Sequence, residues 1–370
     1  MIALELLAPA RTAQIGIAAI DCGADAVYIA GPAFGARQAA GNSVEDIRQL
    51  CTYAHRFGVR IYATVNTLLQ PEEVSEARSL VKQLEEAGVD ALIVQDPLVL
   101  EMSDSLVMHA STQCAIRTPE KARGLESLGF GRLVLEREIS LEQIRAIVQS
   151  VDTEIEFFVH GALCVCYSGQ CYLSEYLTGR SANRGACAQP CRNLYDLQDA
   201  SGKVLVRNKA LLSLKDYQLI HRLEDLAEAG VSSFKIEGRL KNESYVRNVV
   251  KAYSEALDAL VEKYPERYRR SSFGTVRGGF TPNLQKTFNR GYTELFLDGR
   301  RGPWAAMDAP KSMGEWIGSV ARLRPDGLVL NPAVPDLVLS NGDGFAFVNK
   351  DGGITGFRGD VCEGRTIFCR

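Results

Sequence analysis

Five of the ten cysteines in this 370-residue sequence fall in one stretch, GALCVCYSGQCYLSEYLTGRSANRGACAQPCR: Cys164, Cys166, Cys171, Cys187 and Cys191. In a reducing compartment, thiols gathered like this are metal or cluster ligands before they are disulfide partners. The spacing is C-x-C-x4-C, fifteen residues, then C-x3-C. Cys187 and Cys191 suit a zinc knuckle, but Cys164 and Cys171 are spaced too widely for a second pair of that kind. An iron–sulfur cluster is a larger object and accepts wider, less regular spacing. The spacing therefore favours a cluster, with a zinc site and buried or redox-active thiols as alternatives. A cluster takes four of the five. Cys166 is read as the spare, because neighbours in a C-x-C pair do not easily reach two corners of one cube. Gly161, Gly169, Gly179, Gly185 and Pro190 supply the tight backbone that lets sulfurs converge. Cys22, Cys51 and Cys114 read as small core hydrophobes, and Cys362 and Cys369 as ordinary residues of the C-terminal region.

These thiols need a scaffold, and the rest of the sequence specifies one. Short apolar runs at residues 3–7, 26–30, 60–65, 91–95, 106–110, 132–135, 154–159 and 233–237 read as buried parallel strands. Segments of helical period separate them. Ser43-Val-Glu-Asp opens one helix as a capping box, Pro71-Glu-Glu opens another, and Gly88, Gly129 and Gly230 follow helix ends. Eight such units predict an α/β fold, a (β/α)8 TIM-like barrel, rather than an open doubly wound sheet. No Gly-x-Gly-x-x-Gly follows the first strand. The cysteines then lie in an insertion at 161–210, after strand seven. That is far longer than an ordinary βα loop of two to six residues. The barrel is expected over 1–264. Gly- and Pro-rich segments after it predict a small β-rich C-terminal domain at 265–370, truncated if the chain is part of a longer protein.

Barrel chemistry sits at the carboxyl ends of the strands. Those ends carry Asn66, Gln95, Asp96, His109, Gln113, Glu136, Arg137, His160, Lys235, Glu237 and Arg239. The set offers acid, base and bidentate anion-binding groups. Composition sets the outer limits. With 46% hydrophobic residues, 24% charged residues and a net charge of −3, the chain is neither disordered nor a small disulfide-stapled fold. No apolar run approaches the roughly 18 residues of a membrane span, and the start lacks a basic leader. A cytoplasmic location without membrane association is expected.

The segment EFFVHGALCVCYSGQCYLSEYLTGRSANRGACAQPCR, with LELLAPA, GADAVYIAGPAFGAR, HASTQ and SFKIEGRLK at matching intervals, resembles the collagenase-like peptidase family over residues 1–258. Within it the sequence is most similar to the branch that hydroxylates a cytidine of large-subunit ribosomal RNA. Other branches hydroxylate a transfer RNA uridine or a ubiquinone precursor without molecular oxygen. The resemblance implies a [4Fe–4S] cluster held by Cys164, Cys171, Cys187 and Cys191, with prephenate or a related product as the oxygen source. Ribosomal RNA, a small-molecule oxygen donor and an electron donor would be the partners. Members most similar over the barrel usually extend well beyond this length.

The family name suggests proteolysis, but neither His-Glu-x-x-His nor Gly-x-Ser-x-Gly occurs. A dyad of His160 with Cys164 is conceivable, yet clustered thiols are a poor setting for one activated thiolate. A peptidase and an RNA-binding protein with a structural metal stand as the competing readings. For an anionic oxygen donor such as prephenate, Arg37, Arg137 and Arg239 are candidate carboxylate clamps, unless ion pairs with Glu136, Glu138 or Glu237 engage them. His160, His109 and Glu237 are the candidate acid–base groups. Nine basic residues against three acidic ones over 263–301, with Tyr264, Tyr268, Phe273, Phe280, Phe288 and Tyr292 interleaved, suggest an RNA-binding surface or a solvated edge.

Overall fold

The computed structural model describes residues 1–36, 41–299, 304–349 and 353–369. Eight parallel strands close into a barrel: β1 (Ile2–Ala10), β2 (Ala26–Ala30), β3 (Arg60–Val65), β4 (Ala91–Val94), β5 (Val107–Ala110), β6 (Arg132–Val134), β7 (Glu154–Gly161) and β8 (Ser233–Ile236). β8 pairs with both neighbours, Ser233 lying opposite Glu156 of β7 and Glu5 of β1. The expected strands are present to within about three residues at each end, because strands buried on both faces read as continuous apolar runs.

Helices α1 (Ala13–Ile20), α2 (Val44–Ala54), α3 (Val74–Glu86), α4 (Pro119–Ser127), α5 (Leu141–Val148), α6 (Leu173–Thr178), α7 (Leu223–Glu228) and α8 (Glu243–Lys263) accompany the strands. α6 lies in the cysteine-bearing insertion, and β4 is followed by a 3₁₀ turn, Pro97–Glu101, instead of an α-helix. Start and stop chemistry is local. Ser43 accepts from the Asp46 amide while the Asp46 carboxylate accepts from Ser43, a complete capping box. Gly88, Gly129 and Gly230 take positive φ just past their helices.

The barrel interior is not uniformly apolar. Arg132 pairs with Glu5 at 2.5 Å and Glu156 at 3.3 Å, and Lys235 pairs with Glu156 at 2.6 Å. Tyr62 and Ser233 donate to Glu5 at 2.6 and 2.8 Å. Burying four charges is costly unless each is paired and hydrogen-bonded, and here two anions face two cations. Burial alone would raise the Glu5 carboxyl, but Arg132 and the hydrogen bonds hold it below the usual carboxylate range.

The chain divides into two compact units: residues 1–191, 214–284 and 292–304 form the first, and 192–213, 285–291 and 305–370 the second. Residues 265–284 and 292–304, assigned from sequence to the C-terminal domain, thus cluster with the barrel. The reason is pairing: Tyr268–Arg270 runs parallel to β1, Tyr268 opposite Ile2. Residues 192–213, of which 192–210 were expected within the insertion, cluster with the second unit and include the antiparallel pair Tyr195–Gln198 and Val204–Lys209. That unit also holds a four-stranded sheet and a further hairpin, with Leu328, Leu330 and Ile367 at its core. No helix among the described residues is long and apolar enough to cross a membrane.

Candidate functional site

A cavity of about 140 Å³ opens at the carboxyl ends of the barrel strands. Strand ends supply Arg137, Phe158, Lys235, Glu237 and Arg239, and the insertion supplies Cys164, Cys166, Cys171, Cys187 and Cys191. All five thiols are free, and all line this one cavity. Burial, reinforced by a contact with Cys171 and by the nearby Cys164 and Cys191, pushes the Cys166 thiol up to about 12. Among the described residues no three His, Cys, Asp or Glu side chains are arranged to hold a single metal ion.

Local hydrogen bonds shape the insertion. Ser174, fully buried in α6, donates to Arg180 O at 2.6 Å and accepts from Ala188 N at 2.9 Å. Asn183 Oδ1 accepts from Cys171 N at 3.2 Å. Gly169 has a φ of +71°, and a Cβ there would stand 2.4 Å from Gln113 O. Only glycine permits that close approach, which seats the turn between Cys166 and Cys171 on the loop after β5. At Gly161, φ +113°, a Cβ would lie 2.7 Å from that of Glu237.

The polar wall is predominantly cationic. Arg137 donates to Ala162 O at 2.7 Å, while its buried Nε has no hydrogen-bond partner among the described residues. Arg239 donates to Thr64 Oγ1 at 2.9 Å. Lys235 lies 4.5 Å from the Tyr28 ring centroid, and burial, outweighing its partner Glu156, lowers its pKa. Glu237 Oε2 accepts weakly from Ala162 N at 3.4 Å. With Lys235 already paired to Glu156, the two arginines and the orphaned guanidinium nitrogen of Arg137 are what fit an anionic ligand.

Other expected residues lie elsewhere. Arg37 lies outside the described residues. His160 faces α8, not the cavity: Nδ1 is 3.3 Å from Tyr253 Oη, and the rings of Tyr245, Tyr253 and Tyr292 surround it. Burial, aided by Lys241, lowers its pKa to about 3. His109 packs edge-on against Tyr62 near the amino ends of the strands, beside Arg132. Burial and three cations hold it well below the ordinary imidazole range. Neither histidine is among the residues lining the cavity that holds the thiols.

Three of the nine basic residues at 263–301 are engaged in ion pairs within the first unit. Lys263 pairs with Glu224, Arg267 with Glu228, and Arg270 with Asp25 and Asp258. Tyr268 is buried. Arg300 and Arg301 lie outside the described residues. Lys235, named from sequence among the strand-end residues but given no individual role, is a cavity group. Its signal was the two-residue spacing Ser233, Lys235, Glu237, which puts all three on the inward face.

Comparison with known proteins follows the same outline. The chain is 49% identical over 97% of its length to the 23S rRNA 5-hydroxycytidine C2501 synthase of Escherichia coli (strain K12), spanning 54%, about half, of that protein. It is 34% identical over 87% of its length to the tRNA hydroxylation protein P1 of Bacillus subtilis (strain 168), covering 78% of it. It is 35% identical over 81% of its length to a collagenase of Porphyromonas gingivalis, covering 75% of it. Residues 11–305 match Peptidase family U32, and the chain belongs to that family.

Proposed function

We propose that this chain is the catalytic part of an oxygen-independent RNA hydroxylase that converts a cytidine of 23S ribosomal RNA to 5-hydroxycytidine. One observation carries the chemistry: all five insertion thiols and three cations line a single cavity at the catalytic end of the barrel. The 49% identity to a 23S rRNA 5-hydroxycytidine synthase supports the choice of RNA and base.

Thiolate-only donors in one cavity fit an iron–sulfur centre, with Cys164, Cys171, Cys187 and Cys191 holding a [4Fe–4S] cluster and Cys166 beside them. Such a cluster supplies one-electron transfer. The chain's own residues do the rest. Arg137, Lys235 and Arg239 bind and orient the carboxylates of a small oxygen donor, for which prephenate, a dicarboxylate, has the right charge. Glu237, on the same wall, is the acid–base group in reach of that donor. Replacing C–H by C–OH is a two-electron oxidation, so a donor that delivers its oxygen at the level of hydroxide leaves two electrons that a separate acceptor must take up. The peptidase reading lacks its dyad, because His160 contacts α8 tyrosines instead of Cys164.

The test has two arms. Protein purified without oxygen should be brown with about four irons per chain. Nucleosides from 23S ribosomal RNA of a strain lacking the gene should lack 5-hydroxycytidine by mass spectrometry and regain it on complementation. Unchanged ribosomal RNA, with a missing hydroxylated uridine in transfer RNA, would move the substrate to transfer RNA. Metal-free protein that cleaves peptides would replace the reading altogether.

A further inference from the structure

We propose that Tyr167, Tyr172 and Tyr176 form a base-stacking platform for single-stranded RNA on the rim of the barrel mouth. The identity of the partner rests on the RNA reading above.

Three tyrosines within ten residues are left in solvent, 52%, 65% and 87% exposed, with Val165 and Leu177 exposed between and beside them. Burying such rings is favourable, so an aromatic patch left open marks a contact surface. The segment that carries the rings reaches the site. Val165, Tyr167 and Leu173 line the same cavity as the cysteines. Tyr172 and Tyr176 are four residues apart, with the Tyr176 amide bonded to Tyr172 O at 2.9 Å, so they are neighbours on one helical face.

Tyr167 is held in place for stacking. Its turn is closed by Gln170 N donating to Tyr167 O at 3.2 Å. The Arg117 guanidinium lies 4.1 Å from the ring centroid and is itself tied to Glu136 and Gln170. One face of the ring is capped by a cation, and a ring that is half exposed still offers surface to a base at little entropic cost. Arg180, exposed close to Tyr176 in sequence, donates Nε to Ala186 O and places a positive charge where a phosphate would run. Glu175 is the single acidic residue between Cys164 and Cys191.

The chemistry at the mouth explains why rings are needed there. A base reaches a recessed cavity only by leaving its stack, and the nucleotides on either side lose their stacking partner. Tyrosine faces at the rim replace that partner without reading sequence.

The test measures binding of a fluorescently labelled single-stranded oligoribonucleotide of about 12 nucleotides to the full chain, purified anaerobically, with the same sequence as duplex for comparison. Tyr176→Ala should weaken single-strand binding by about fivefold to a hundredfold while leaving iron per chain unchanged. Tyr176→Trp should retain affinity, with indole emission quenched by RNA. Tyr167→Ala tests the second ring away from the helix. The platform is overturned if the alanine variants bind like the parent, if duplex binds as well as single strand, if the parent binds no single strand, or if Tyr176→Ala abolishes self-association instead. Absence of 5-hydroxycytidine chemistry with ring-dependent RNA binding intact would sink the hydroxylase reading alone.

Discussion

Arg137 Nη1 donates a 2.7 Å hydrogen bond to the carbonyl oxygen of Ala162, two residues before Cys164. The end of β6 is thereby fastened to the segment that carries the thiols, and one guanidinium serves both the polar wall and the cysteine loop. Arg239 is anchored on Thr64 of β3. The two arginines should therefore fail differently. Arg239→Ala should lower product about ten- to a hundredfold, the cost of a lost charge-assisted hydrogen bond, with iron content intact. Arg137→Ala should lower both product and iron. Iron assays with nucleoside mass spectrometry on the two variants decide the matter, and full product from Arg239→Ala removes it from the clamp.

The five thiols share one cavity, but four suffice for a cluster. Serine in place of Cys164, Cys171, Cys187 or Cys191 should each cost more than about half of the iron and most of the visible absorbance. Cys166→Ser should keep both. Loss of iron from Cys166→Ser, with retention in one of the other four, would reassign the ligands.

Barrel strands were legible because burial on both faces writes them as apolar runs, and the helices because Ser43 and Gly88 carry their own start and stop chemistry. Convergence of the cysteines was legible from density alone. What escaped was direction and depth. Glu156 and Phe158 point inward along β7, and alternation would bring His160 inward as well. The pairing with β8 slips between Phe158 and His160, opposite Lys235 and Ile236, and His160 packs on α8 instead. His109 keeps the inward direction but sits at the level of Tyr62 and Arg132, which sequence spacing does not encode. The ion pairs of the basic stretch escaped for a related reason, since Asp25, Glu224 and Glu228 lie far from their partners along the chain.

Buried against tyrosines with its pKa lowered to about 3, His160 is neutral in the folded protein throughout the ordinary range. An unfolded histidine titrates near 6.5. Between those values the unfolded state binds the extra proton, so this group's contribution to stability is complete above about pH 6.5 and is lost as pH falls toward 3. His160→Gln should flatten the acid limb of a denaturation-against-pH profile while leaving product formation at neutral pH within about threefold, as expected of a group outside proton transfer. A product loss of a hundredfold or more, with folding intact, would restore it to the chemistry.

Arg270 tests whether the basic stretch serves RNA or the fold. Its guanidinium reaches Asp25 at 2.7 Å, where the carboxylate is fully buried, and Asp258 at 2.5 Å. It also donates to Gly23 O at 2.7 Å. Removing it strands a buried anion, a loss of about 3–5 kcal/mol, so Arg270→Ala should lower the denaturation midpoint sharply. Arg269, exposed on the alternate face of the same short strand, is the control: Arg269→Glu should leave stability unchanged and alter RNA affinity by less than about twofold. If Arg270→Ala unfolds like the parent while Arg269→Glu weakens RNA binding and flattens its salt dependence, the surface at 263–301 is the RNA-binding one and the ion pairs are incidental.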